Sequence, residues 1–197
     1  MQTIYVIRHG ETEWNRAGRM QGGLDSPLTA RGEDQARRVG ALLGSLVEDL
    51  GAARLLASPL GRTRHTAALI ADALGVAPDR FESDPEVVEI GWGAWEGMTH
   101  LEIADAAPEE WVHFRADRWH RAPPGGESYA AMSERARRWL DKVTGEPVVV
   151  LISHGAFGRA LRGRYAGLSP AETLAQKAPN DTLWRLSQGT VGRFDAA

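Results

Sequence analysis

The sequence predicts an α/β fold with a mostly parallel central sheet, and two observations support this prediction. Short apolar runs alternate along the chain with longer segments whose apolar residues recur at helical spacing. Residues 148–152 are aliphatic without polar alternation, as expected of a strand that helices cover on both faces. A chain of 197 residues suits one domain of this kind, which we expect to occupy residues 1–197.

The apolar runs give the order of the predicted strands. Four strands are predicted over residues 4–7, 55–57, 87–90 and 148–152. Near the end of the sequence, residues 182–187 and 191–194 flank the pair Gln188-Gly189, which predicts a hairpin or two edge strands.

Helices are predicted between these strands. Thr29 precedes a segment with apolar residues at helical spacing, so Thr29 is the predicted N-cap of the first long helix. The same pattern predicts helices over residues 61–74, 129–143 and 158–165. Between residues 98 and 124 the chain is polar, aromatic and partly helical, which predicts an excursion from the sheet.

Composition excludes several classes of protein. A net charge of −3 argues against a dedicated nucleic-acid binder, and the absence of cysteine removes disulfides, thiolate metal sites and cysteine nucleophiles. The longest aliphatic run, at residues 148–152, is far shorter than the roughly 20 residues of a membrane span. No secretory signal is visible, so we expect a cytoplasmic protein without a membrane partner.

Two predicted strands end in histidine followed by glycine, in the segments VIRHG and LISHG. Ligands bind at the carboxyl ends of parallel strands. A lone histidine at a strand end more often has a structural role, but two histidines in matching positions favour a ligand-binding site. A glycine after each of His9 and His154 would bring backbone N–H groups close to an anion. Arg8 and Arg62 add guanidinium groups suited to phosphate or carboxylate.

These neighbours indicate nucleophilic chemistry. Nearby arginines disfavour a second positive charge, so they would hold His9 neutral and nucleophilic near pH 7. Glu89 follows another apolar run, and the aromatic surroundings of Trp92 and Trp95 would keep its carboxyl group protonated as a general acid. After phosphoryl transfer the same carboxylate could activate water. Core packing explains the two tryptophans nearly as well.

The remaining polar residues are given no chemical role. Arg159, Arg162 and Arg164 are expected to form a solvated helix face. The other histidines lack the spacing of a metal site, so no metal is predicted. The sequence has no G-x-x-x-x-G-K loop, no G-x-S-x-G elbow and no H-E-x-x-H motif, which excludes the usual nucleotide-binding, serine-hydrolase and zinc-protease sites.

The sequence resembles the histidine phosphatase superfamily, the phosphoglycerate-mutase-like proteins. The segment RHGETEWN matches the signature of this family, and five more of its landmarks follow in the family's order: GRMQGGLDSPLTARGEDQA, SPLGRTRHTA, EIGWGAWEG, PPGGES and LISHG. The resemblance covers nearly the whole chain. It implies a three-layer α/β/α sandwich whose active site lies at the carboxyl ends of the strands, and we expect the excursion at about 98–124 to lie over that site.

The resemblance also implies roles for individual residues. His9 would carry the phosphoryl group on its imidazole ring, and Glu89 would donate the proton. The other residues expected around the phosphoryl group are Arg8, Asn15, Gln21, Gly22, Arg62, His154 and Gly155. No cofactor or metal is implied for the phosphatases. The expected partner is a small phosphorylated metabolite, and the sequence leaves monomer or homodimer open.

Three functions remain open on these grounds. The first is a phosphatase that hydrolyses phosphomonoesters through phosphohistidine. The second is a phosphoglycerate mutase dependent on bisphosphoglycerate, and the third is a noncatalytic binder of phosphorylated ligands. Trp92, His100 and residues 112–113 stand where mutases hold their substrate, and Gln21 belongs to the R-x-Q-G form that resembles the phosphatase branch.

The mutase stays open because the excursion is rich in arginine. A mutase must retain its dephosphorylated product, whereas a phosphatase lets water reach the phosphohistidine. Three side chains of the excursion could bind an anionic product in place of the mutase residues: Arg115, Arg118 and Arg121.

Overall fold

The computed structural model of the chain describes residues 1–196, and its central feature is one six-stranded sheet. The strands are β1 (Thr3–Arg8), β2 (Arg54–Ala57), β3 (Glu82–Ser83), β4 (Val148–Ser153), β5 (Thr182–Ser187) and β6 (Thr190–Asp195). They lie in the order β3-β2-β4-β1-β5-β6. The first four pair in parallel, while β5 pairs antiparallel with both β1 and β6. The predicted mostly parallel sheet and terminal hairpin are therefore confirmed.

Helices cover both faces of the sheet. The α-helices within residues 1–196 are α1 (Glu13–Arg16), α2 (Ala30–Leu46), α3 (Gly61–Leu74), α4 (His100–Ala106), α5 (Pro108–Ala116), α6 (Tyr129–Lys142), α7 (Gly155–Tyr165) and α8 (Pro170–Ala175). Thr29 caps α2 by accepting a hydrogen bond from the N–H of Gly32 at 3.0 Å, as predicted. None of the helices in this part of the chain is both long and apolar enough to cross a membrane.

Alternate residues of each central strand enter two separate cores. In β1, Ile4 and Val6 pack in the core that contains α6 and α7, whereas Tyr5 and Ile7 pack in the core that contains α2 and α3. Both faces of the strand are thus buried, which explains why its sequence lacks polar alternation. The two cores separated by the sheet give the three-layer α/β/α sandwich that the family resemblance implied.

The strand predicted over residues 87–90 is wrong. The chain forms the short strand β3 earlier, at Glu82–Ser83, and then a 3₁₀ turn over Pro85–Val87. Side chains satisfy the backbone carbonyls that a neighbouring strand would otherwise bind. Arg135 donates from Nη1 to the carbonyl oxygens of Glu86 and Val88, both at 2.8 Å, and Ser153 donates to that of Val87 at 2.7 Å.

The residues between α8 and β5, here called the strap (residues 176–180), are held by a buried cation. Arg162 donates to the Gln176 side chain at 2.9 Å and to the Lys177 carbonyl at 2.8 Å. Its guanidinium also lies 3.9 Å above the ring of Trp184. Arg162 is only 2% exposed, so its predicted place on a solvated helix face is wrong. Burial, reinforced by the charge of Arg159, lowers its pKa to about 9.

The fold predicts that Arg135 contributes strongly to stability. Its guanidinium pairs with both carboxylate oxygens of Glu127, at 3.1 and 2.6 Å, besides binding two carbonyls. Replacing it with methionine (Arg135→Met) leaves these acceptors unpaired, so the free energy of unfolding should fall by about 2–4 kcal/mol. Denaturant unfolding measures this change. The exposed Arg137 on the same helix is the matched control, and an equal effect of Arg137→Met would contradict the assignment.

Candidate active site

A pocket of about 150 Å³ opens at the carboxyl ends of the parallel strands β1 and β4. Its lining consists of Arg8, His9, Asn15, Arg19, Met20, Gln21, Gly22, Arg62, Glu89, Trp92, Gly155, Ala156 and Arg159. His154 stands directly behind this lining, because its ring packs against that of His9 with 5.4 Å between the centroids. The fold therefore brings together all the residues that the sequence predicted for the site.

His9 is held by its backbone and by its own ring. Its N–H donates to the Ser153 carbonyl at 3.0 Å, and its carbonyl accepts from the strap residue Asn180 at 2.7 Å. Ring atom Nδ1 lies 2.8 Å from the carbonyl of Gly10. Since a carbonyl can only accept, Nδ1 carries the proton and Nε2 keeps its lone pair. His9 is 2% exposed and presents this lone pair in the pocket.

The charge state of His9 suits a nucleophile. Burial is the main reason that the pKa of His9 lies well below its ordinary value of 6.5, and the charges of Arg8 and Arg62 lower it further. The imidazole is therefore neutral at pH 7, as predicted from the neighbouring arginines. A neutral imidazole with an unshared pair on Nε2 can attack phosphorus.

His154, next to His9, has one ring nitrogen without a hydrogen-bond partner. Its Nε2 lies 2.8 Å from the Ser58 hydroxyl, and its buried Nδ1 has no hydrogen-bond partner in the protein. Burial first, then the charge of Arg62, lowers the pKa of His154 well below 6.5, so this ring is neutral as well. With Ser58 donating to Nε2, we assign the single ring proton to Nδ1.

The site concentrates buried donors that lack acceptors. Within residues 1–196, five buried side-chain nitrogen or oxygen atoms have no hydrogen-bond partner. Four of them belong to this site: Arg8 Nε, Arg62 Nε, Arg159 Nε and His154 Nδ1. Buried polar groups in proteins are nearly always paired, so four such nitrogens around one cavity indicate a site for an oxyanion.

Protein contacts aim the two arginines at this cavity. Arg8 donates from Nη1 to the strap carbonyl of Ala178 at 2.5 Å. Arg62 is engaged more fully, since its Nη atoms donate to the Gly22 carbonyl at 2.8 Å and to Asp25 at 2.8 Å. Burial, opposed by Glu89, lowers the pKa of Arg8 to about 10, which leaves the group charged at neutral pH.

Two side-chain amides add further donors. The Asn15 Oδ1 accepts from the N–H of Thr12 at 3.3 Å, within a capping box at the start of α1. The Gln21 Oε1 accepts from the Ser26 hydroxyl at 3.3 Å. Because both carbonyl ends are bound to protein, each NH₂ group is left to face a ligand. Every polar lining side chain except Glu89 and the proposed nucleophile His9 can thus donate to an anion.

Glu89 is the single acidic side chain of the pocket lining, and backbone N–H groups hold it. Its carboxylate accepts hydrogen bonds from Ala156 and Phe157, the second and third residues of α7, at 3.1 Å. Its own neighbour Ile90 donates at 3.0 Å. These contacts correct one expectation, because the N–H groups of Ala156 and Phe157, which follow the second histidine, bind Glu89 instead of a ligand.

The glycine after each histidine serves close packing. A Cβ atom on Gly10 would lie 2.1 Å from the carbonyl oxygen of Gly32, and the N–H of Gly10 is bound to Thr66 at 3.1 Å. A Cβ atom on Gly155 would lie 3.3 Å from Nε of Arg8. The small residues therefore let the loop approach α2 and let Arg8 enter the pocket.

Arg159 belongs to the pocket, so its predicted place on a solvated helix face is wrong. It follows Gly155 by four residues in α7, and Arg162 follows by seven, which puts all three on one face of the helix. This spacing was available in the sequence. Arg19 and Met20 also line the pocket without having been predicted.

The excursion lies outside the pocket lining. None of the lining residues comes from residues 98–124, and Arg115, Arg118 and Arg121 are exposed. The excursion packs behind the wall instead, where Phe114 contacts the ring of Trp92 edge-on at 5.8 Å. Within residues 1–196 no cluster of three or more histidine, aspartate or glutamate residues is arranged to hold a metal ion.

Comparison with known proteins agrees with this geometry. Residues 4–192 match the model of the "Histidine phosphatase superfamily (branch 1)". The chain belongs to this superfamily. A curated member, the "Probable phosphoglycerate mutase GpmB" of Erwinia tasmaniensis, is 40% identical over 159 residues, which are 79% of this chain and 70% of the relative.

Solved structures in the superfamily share the whole fold. The mycobacterial glucosyl-3-phosphoglycerate phosphatase, solved as a complex with VO₃, has a TM-score of 0.82 and 27% identity, with 100% of each chain covered. The alpha-ribazole phosphatase from Shigella flexneri has a TM-score of 0.82 and 26% identity, covering 99% of this chain and 96% of its own. Superfamily members similar to this chain thus include proteins named as mutases and as phosphatases.

The two neutral histidines predict a loss of stability in acid. In the unfolded chain each returns to a pKa near 6.5, so the unfolded state takes up protons as the pH falls below that value while the folded state does not. The free energy of unfolding should fall by up to about 1.4 kcal/mol per pH unit for each histidine. Denaturant unfolding between pH 7 and pH 5 measures the slope.

The variant His9→Asn isolates one of these contributions. Its stability should decline less steeply below pH 6.5 than that of the unmodified protein, whereas the surface variant His113→Asn should keep the original slope. Parallel curves for the protein and His9→Asn would contradict the lowered pKa of His9, because they would show that His9 takes up a proton equally readily in the folded and unfolded states.

Proposed function

We propose that this protein is a phosphatase that hydrolyses small phosphomonoesters through a phosphohistidine at His9, without a metal or cofactor. The observation that carries the proposal is the set of three buried N–H donors without acceptors, on Arg8, Arg62 and His154, beside the free Nε2 of the neutral His9. A phosphoryl group has the oxygens to accept from these donors. A cytoplasmic location remains a prediction.

In the first step, Nε2 of His9 attacks phosphorus and the bond from phosphorus to the ester oxygen breaks. Arg8, Arg62 and His154 stabilise the negative charge on the phosphoryl oxygens, in a pocket where such contacts are stronger than in water. Glu89 gives a proton to the departing oxygen, which leaves as an alcohol.

In the second step, water releases the phosphoryl group. The Glu89 carboxylate takes a proton from water, the water oxygen bonds to phosphorus, and the bond from phosphorus to Nε2 breaks. Inorganic phosphate leaves and His9 returns to its neutral form. The backbone donors of α7 can hold Glu89 in place during both steps.

The size of the pocket supports a small substrate. Its volume of about 150 Å³ is below the roughly 300–1,000 Å³ of pockets for drug-sized ligands. The phosphoryl group would fill much of it, which leaves room for a short alcohol portion. We therefore expect a small phosphorylated metabolite, and no nucleic-acid partner.

The second candidate is a phosphoglycerate mutase, favoured by the names of the 40% and 33% identical relatives. Of the positions where the resemblance places a mutase's substrate contacts, Trp92 lines the pocket, but His100 and residues 112–113 do not, which argues against a mutase. Assaying 3-phosphoglycerate with catalytic 2,3-bisphosphoglycerate separates the two functions. Isomerisation faster than phosphate release would establish the mutase.

His9 tests the phosphatase directly. Phosphate release from a panel of phosphomonoesters in the presence of a chelator should fall by on the order of 10⁴-fold or more in His9→Asn, because the nucleophile is lost. When the reaction with an ester labelled at phosphorus is stopped rapidly without acid, labelled phosphohistidine should be found on the unmodified protein and not on His9→Asn. Binding of the esters without turnover or labelling of the unmodified protein would favour the noncatalytic function.

Glu89 tests the proton transfer. The variant Glu89→Gln should lower the kcat for alkyl phosphates by about 10²–10⁴-fold, because an alkoxide needs a proton to leave. The loss should be much smaller for p-nitrophenyl phosphate, whose leaving group is stable as an anion. Equal losses on both substrates would assign the proton donor to another residue.

A further inference from the structure

We infer that Arg159 determines substrate specificity by binding a carboxylate on the alcohol portion of the phosphomonoester, an inference that rests on the proposed function. Arg159 lines the pocket and has a buried Nε without an acceptor. Its Nη2 donates to the hydroxyl of Tyr129 at 2.9 Å, and Tyr129 is 1% exposed. The guanidinium is therefore fixed in place before a ligand binds.

The position of Arg159 matches the leaving-group side of the reaction. In phosphoryl transfer the attacking and leaving oxygen or nitrogen atoms lie roughly in line, on opposite sides of phosphorus. Glu89 must lie beside the leaving oxygen, and His9 opposite it. The Glu89 carboxylate accepts a hydrogen bond from the N–H of Ala156 in α7 at 3.1 Å. Arg159 follows Ala156 by three residues on the same face of α7, and both residues line the pocket. Arg159 thus lies on the side of Glu89.

The positive charge of Arg159 makes a carboxylate its best-suited hydrogen-bond acceptor. Of the four guanidinium groups in the lining, Arg62 is paired with Asp25 and Arg19 with Glu102, each at 2.8 Å. Arg8 meets the phosphoryl group in the proposed mechanism. Arg159 is the remaining cation, and within residues 1–196 no carboxylate lies within 4.0 Å of it. A planar carboxylate can accept two hydrogen bonds from one guanidinium, which favours it over a neutral hydroxyl.

Competitive inhibition tests this inference with two matched pairs of esters. Phosphoglycolate is compared with 2-hydroxyethyl phosphate, and 3-phosphoglycerate with glycerol 3-phosphate, each as an inhibitor of p-nitrophenyl phosphate hydrolysis. Each pair differs by a carboxylate in place of a hydroxymethyl group, so the ratio of the two inhibition constants reports the contribution of the carboxylate. In the unmodified protein the acidic member of at least one pair should bind more tightly.

The variant Arg159→Met should reduce that preference by about 10- to 100-fold. Tyr129→Phe, which keeps the packing, should reduce it less, and Arg164→Met on the outer part of α7 should leave the ratio unchanged. Equal weakening of both members of each pair in Arg159→Met would overturn the inference by assigning Arg159 to the phosphoryl group. An unmodified protein that prefers neither member would also overturn it.

These outcomes are distinct from a failure of the proposed function. If p-nitrophenyl phosphate is not hydrolysed by the unmodified protein, the phosphatase proposal fails. The four esters are then compared by calorimetric titration, and the same ratios decide the role of Arg159.

Discussion

The active site depends on one constraint, which is the free-energy cost of burying positively charged side chains away from water. Arg8, Arg62 and Arg159 stand around a small pocket with the neutral rings of His9 and His154. Burial is the main cause that lowers the pKa values of Arg8, His9 and His154 and so disfavours their charged forms. Uncharged acceptors hold two of the guanidinium groups: the Ala178 carbonyl binds Arg8, and the Tyr129 hydroxyl binds Arg159. The same desolvation keeps the proposed nucleophile His9 neutral, so the free-energy cost of burying these groups and the neutral state of His9 have one origin.

The surrounding architecture can be understood as support for these groups. The parallel strands β1 and β4 deliver the two histidines to the same edge of the sheet, and α7 begins immediately after the second. Arg135 then ties the segment before Glu89 to α6, while its guanidinium lies 5.1 Å from the ring of Phe157, whose N–H binds Glu89. A segment without strand pairing is thus positioned by side chains.

Sequence reasoning was most successful where a residue's role depends on its neighbours in the chain. The histidine-glycine strand ends, the cap at Thr29 and the neutral state expected of His9 all follow from local pattern and charge. The strand predicted over residues 87–90 failed because the partner of its carbonyls, Arg135, is distant in sequence. Arg159 and Arg162 were misplaced for a different reason, since their charge suggested solvent although their spacing from Gly155 indicated the pocket face.

The strap has a consequence for biosynthesis. Ala178 orients Arg8 and Asn180 holds His9, while Thr3 of the same first strand pairs with both Val148 and Ser187. His9 thus leaves the ribosome long before the residues that fix it. Non-local pairing of this kind slows folding, and a domain that contains it cannot be completed early in synthesis. A nascent chain would carry His9 without a formed pocket, and the proposed catalysis would begin only after the strap docks.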